Sequence, residues 1–127
     1  MRSVLSVIVG LVAWAVVATL LNFVLRASLE GYGVAEHTMH FTLPMMLGRL
    51  GEGAFASIGA GIACVLVAGA AASARRRHVL AAITGGVIVL GFLPEHIAIW
   101  SMFPVWYHLF FLLTLVPFVL LGERLAR

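Results

Sequence analysis

The chain contains no lysine, no aspartate and a single cysteine. Each absence closes off a class of explanation. One cysteine, Cys64, forms neither an internal disulfide nor a dithiol pair. It stands among Ala, Val and Leu, where a free cysteine behaves as a small apolar residue. Charge is also scarce. Only 10% of the 127 residues are charged, against roughly 25% in an ordinary soluble domain. No basic stretch is interleaved with aromatic residues, which sets nucleic acid aside as a partner. There is no His-Glu-x-x-His, no cysteine pair and no c-type haem attachment sequence.

What is present is apolar. Hydrophobic residues make up 63% of the chain, and the mean hydropathy is +1.13. This is the composition of a multi-pass membrane protein, with the lipid bilayer as its first partner. The length suits one bundle, so one domain over residues 1–127 is expected. Arginine without lysine, together with abundant Ala and Gly, points to a GC-rich bacterial host.

Four spans can be read along the chain. The first covers about residues 4–25, enough to cross a hydrocarbon core of about 30 Å. Its apolar run is too long for a signal-peptide core, so it reads as an uncleaved helix. A polar outward loop over 26–49 follows, with Gly31-Tyr32-Gly33 as a turn signal. Pro44 can open a short helix there. The second span, about 52–73, is rich in small residues four apart (Gly53, Ser57 and Gly61; Ala56 and Ala60). That spacing lets helices approach closely in lipid and places this span at the centre of the packing, or at a dimer interface. The third, about 79–93, is short unless it continues through a kink at Pro94 to residue 100. The fourth runs over about 104–121, with Pro104 at its start and Pro117 inside. Gly122, Glu123, Arg124 and Arg127 are expected to end the chain in water.

Arginine sets the orientation. Arg2, Arg75, Arg76, Arg77, Arg124 and Arg127 fall on one side, and Arg26 and Arg49 on the other. Basic residues favour the cytoplasmic side, so both termini and the 75–78 turn are expected there. The same turn can hold anionic lipid headgroups, and His78 needs no role beyond it. The expected fold is therefore all-α: an antiparallel four-helix inner-membrane bundle with both termini cytoplasmic.

The opposite end gathers Glu36, His37, His40, Glu52, Glu95, His96 and His108. Ionisable groups near hydrocarbon are costly, and their convergence invites a functional reading. Imidazole and carboxylate donors suit a transition metal, which makes His37, His40, Glu52, His96 and His108 candidate ligands. Haem or a quinone would need two histidines on facing helices at one depth, with His108 against His40 or His96. A proton or ion path would run through Glu52 and His108, as in a small oligomeric transporter. Small multidrug exporters are similar in size and span number, but their essential acidic residue lies in the first span, where this chain has none. Structural roles account for the same residues. Arg49 and Glu52, three apart, can pair, and His108 can donate to a backbone carbonyl freed by Pro104 or Pro94. The chain then reads as a small membrane protein with an outward site, enzymatic or metal-binding, or as an accessory subunit of a larger membrane complex.

Overall fold

A computed structural model describes all residues from Met1 to Arg127. The fold is all-helical, and four helices long and apolar enough to cross a membrane pack together. Helix α1 spans Arg2–Ser28, α2 Tyr32–Thr38, α3 Leu43–Ala68, α4 Ala74–Ala98 and α5 Val105–Leu125. A single 3-10 turn over Trp100–Met102 joins α4 to α5.

Local chemistry sets the boundaries. The apolar run of α1 ends before Gly31, whose positive φ of 78° turns the chain into α2. Met39, also left-handed at φ 59°, closes that short helix. Helix α3 begins at Leu43, well ahead of the expected start near residue 52. Thr42 caps it by accepting from the Met45 amide at 3.5 Å, and Pro44 sits in its first turn. The short helix expected at Pro44 is therefore the first part of the membrane helix, and Arg49 lies inside it. Gly69, at φ 84°, ends α3 short of the expected residue 73. Ser73 then caps α4 by accepting from the Arg76 amide at 3.2 Å, so Arg75, Arg76 and Arg77 form the first turn of a helix rather than a loop. Helix α4 continues through Pro94 to Ala98, which gives it the length of a full span.

Helix α3 lies at the centre, touching α1, α4 and α5. Its buried face is Gly53, Ala56, Ser57, Ala60, Gly61, Cys64, Val65 and Ala68. The small residues matter individually. A Cβ on Gly61 would strike the carbonyl oxygen of Val119, and one on Gly122 would strike that of Ile58. At this crossing α3 and α5 meet backbone to backbone. On the other side of α3, a Cβ on Gly59 would stand 3.2 Å from Val17, and one on Gly48 2.8 Å from Leu25. Trp14 of α1 donates its indole N–H to Ser57 Oγ at 3.0 Å, and Ser57 in turn donates to the Gly53 carbonyl at 2.7 Å. Much of α1 is otherwise uncovered, with Leu5, Val12, Val16 and Leu20 among its exposed apolar residues.

Candidate functional site

The polar end is built in three layers. The outermost is α2, fastened to α1 by a two-pronged ion pair. Arg26 Nε donates to Glu36 Oε1 at 2.6 Å, and Arg26 Nη2 donates to Oε2 at 3.0 Å. The guanidinium holds the Glu36 carboxyl below the usual carboxylate range. Beneath it, Tyr32 is fully enclosed, and burial pushes its phenol above the ordinary value.

The middle layer is Arg49. Its Nε donates to the Tyr107 hydroxyl at 3.0 Å and its Nη1 to the Tyr32 hydroxyl at 3.3 Å. Its guanidinium lies 4.7 Å from the centre of the Phe41 ring. One side chain thus joins α2, α3 and α5. The expected Arg49–Glu52 pair does not form. Arg49 turns toward the two phenols, while Glu52 lies on the α1 side with Asn22, Thr19 and Arg26.

The innermost layer is a histidine pair. His96, near the end of α4, and His108, in the first turns of α5, are both buried. Their Nδ1 atoms are 2.7 Å apart, and His108 Nε2 is 3.1 Å from the Trp100 carbonyl. The carbonyl can only accept, so His108 carries its proton on Nε2. With both rings neutral, His108 Nδ1 is then bare and accepts from the Nδ1–H of His96. The Trp100 carbonyl is available because residue 104 is proline and has no amide proton for a helical bond to it. The structural role foreseen for His108 is thus realised at the Pro104 position. His96 is packed by rings, stacked on Phe111 at 4.7 Å and on Tyr107 at 6.1 Å. Its Nε2 has no hydrogen-bond partner, yet it is not sealed in. The one enclosed side-chain nitrogen lacking a partner is Nε of Arg77, at the other end of α4.

Of the five candidate ligands, the structure brings His96 and His108 together. His37 and His40 are exposed, and His40 Nδ1 lies 2.8 Å from the Thr38 carbonyl. Glu52 is on the α1 side of α3, and Glu95 is exposed. No three His, Cys, Asp or Glu side chains are grouped closely enough to hold a metal ion within one chain.

The opposite end corrects two expectations. Glu123 is fully buried instead of ending the chain in water. Arg127 grips it with Nε at 2.7 Å and Nη2 at 3.1 Å, and His78 Nδ1 is 3.5 Å away. His78 therefore has a role beyond the basic turn: it ties the start of α4 to the end of α5. The spacing of Glu123 and Arg127, four apart where α5 ends, was the available signal for the first of these contacts. The chain matches no protein-family model, no curated protein and no solved structure.

Proposed function

We propose that this chain is a four-span protein of a bacterial inner membrane that binds a transition metal or an iron-bearing cofactor at its outward end, through His96. The histidine pair carries this reading. A metal-binding imidazole commonly donates its second N–H to an acceptor that fixes the tautomer and makes the other nitrogen more basic. His96 donates its Nδ1–H to His108, which is itself anchored on the Trp100 carbonyl, and leaves Nε2 as the uncommitted lone pair. Imidazole nitrogen suits zinc, copper and iron. The remaining ligands come from water, from the cofactor or from a second copy, whose exposed His37 and His40 stand at the same end. Glu52 joins such a site only through a second copy or a bound molecule, because it lies on the α1 side of α3.

The orientation belongs to the same proposal. The helices run antiparallel with both termini cytoplasmic, which places Arg75, Arg76 and Arg77 inside and the histidines outside. Contacts of Leu25 with residue 48 and of Cys64 with residue 10 support the pairing of α1 with α3 in that sense. A reporter fused after Arg127 should be active only in the cytoplasm; activity outside would reverse the whole placement.

Elemental analysis of protein purified in mild detergent without chelator tests the site. Near-stoichiometric transition metal is expected in the wild type, with loss in His96→Ala and weakening in His108→Ala. Iron would direct attention to the visible spectrum for haem. A metal-free wild type would overturn the proposal in favour of a second reading, an accessory subunit of a larger membrane complex. The hydrogen bonds of His108, all internal, and the uncovered apolar face of α1 favour that alternative. Copurification of one stoichiometric partner is its signature.

A further inference from the structure

A second site lies on the α1 side of the bundle, away from the histidine pair. A groove of about 360 Å³ follows α1 from Trp14 to Arg26, a rise of roughly 18 Å along the helix. Trp14 and Ala18 line its deeper part, Thr19 and Asn22 its upper part, and Glu52 of α3 reaches into it. Glu52 makes no ion pair and no side-chain hydrogen bond, although the other carboxylates packed in the fold are paired: Glu36 with Arg26, and Glu123 with Arg127 and His78. The cations near it are engaged. Arg26 is taken by Glu36, and Arg49 by the two phenols. A carboxylate inside a span without a countercharge is costly, and such residues mark binding sites whose partner has to be named. Here the chain supplies no partner.

We infer that the groove holds one aminophospholipid, with its ammonium on the Glu52 carboxylate and one acyl chain lying along α1 over Ala18 toward Trp14. Each part of the groove matches a part of that molecule. Glu52 supplies the missing negative partner for a primary ammonium. Arg26, at the rim, stands at the level of the lipid phosphate. The lower walls, Trp14, Ala15 and Ala18, are apolar, and Ala15, Thr19 and Phe23 leave α1 open to lipid along this side. An anionic headgroup without an amine would meet Glu52 with repulsion.

Native mass spectrometry of the delipidated protein, titrated with dioleoyl phosphatidylethanolamine and separately with dioleoyl phosphatidylglycerol, tests the inference. One ethanolamine lipid should bind about ten-fold more tightly than the glycerol lipid. Glu52→Gln, which keeps shape and removes charge, should abolish that preference. Ala15→Phe, at an exposed wall of the groove below the carboxylate, should weaken both lipids while leaving thermal unfolding close to wild type. Soluble phosphoethanolamine should bind far more weakly, because it lacks the chain. Equal affinity for the two lipids in the wild type would overturn the inference, as would an unchanged preference in Glu52→Gln. A dimer that Glu52→Gln dissociates would also overturn it and identify a second copy as the occupant.

Discussion

Replacing His96 and His108 by phenylalanine, singly and together, measures what their hydrogen-bond chain contributes. Phenylalanine keeps the ring stacking, His96 on Phe111 and His108 on Trp100 at 4.6 Å, and removes only the polar contacts. His108→Phe deletes two hydrogen bonds and leaves the His96 Nδ1–H enclosed without an acceptor. Hydrogen bonds between membrane helices contribute about 0.6 kcal/mol on average and up to about 1.7. Both bonds are wholly or partly buried and lie above that average, so about 1 kcal/mol is taken for each. His108→Phe should then cost about 2 kcal/mol and His96→Phe about 1. The double variant loses the same two bonds as His108→Phe alone, so it should cost about 2 rather than about 3 kcal/mol. The coupling of about 1 kcal/mol is the signature of the direct contact. Reversible unfolding in mixed micelles titrated with dodecyl sulfate, followed by helical circular dichroism, gives all three values. Costs that add to within about 0.3 kcal/mol would refute the contact and the tautomer assignment built on it.

The crossing of α3 and α5 gives a contrast between two glycines. Gly61→Val should destabilise the bundle by about 1–3 kcal/mol or more in the same unfolding assay, since its Cβ meets backbone. Gly86→Ala, with nothing within 4 Å of the added carbon, should be neutral or stabilising by up to about 1 kcal/mol. Arg49→Met should loosen α2, seen as faster hydrogen exchange over Tyr32–Thr38. Arg49→Lys should restore little, because a lysine cannot reach both phenols with a rigid fork. The Glu36 carboxyl titrates lower in the folded chain than in the unfolded one, because Arg26 stabilises its charged form. The contribution of that pair is therefore present above the unfolded value and is lost as the pH falls through the lower folded value. Exchange in α2 should stay slow through the ordinary carboxyl range and quicken only in stronger acid, and Glu36→Gln should remove that dependence. Loosening that begins near neutral pH in the wild type would point to a different group.

The long apolar runs made the four membrane-length helices legible, and the small residues of α3 made its central position legible. Both signals are periodic and local, and lipid-spanning helices must satisfy their own backbone. The bond from His108 to a proline-freed carbonyl was legible for the same reason, as Pro104 lies within one turn. The Arg49 network was not. Its partners Tyr32 and Tyr107 are 17 and 58 residues away, and nothing at three- or four-residue spacing points to them. Local spacing favoured Glu52 instead, and tertiary packing turned the two side chains apart. Nor could the gathering of seven ionisable groups at one end indicate which of them meet. Equal depth in a bundle leaves the angular position around each helix open, and that angle separates Glu52 on the α1 side from the histidines between α4 and α5.

The contact of Gly61 with Val119, and of Gly122 with Ile58, fastens one end of α3 to one end of α5 at backbone distance. Farther along, at Gly53, the neighbour is the ring of Phe111. A pair of helices clamped at one end and wedged by rings at the other is a pair of tongs. The ring end is fastened as well, because Arg49 of α3 donates to the Tyr107 hydroxyl of α5 at 3.0 Å, so the tongs are held shut at both tips. A methyl group added at the glycine crossing has no slack to move into, and the strain passes to the Phe111 ring wedged between the two fastenings.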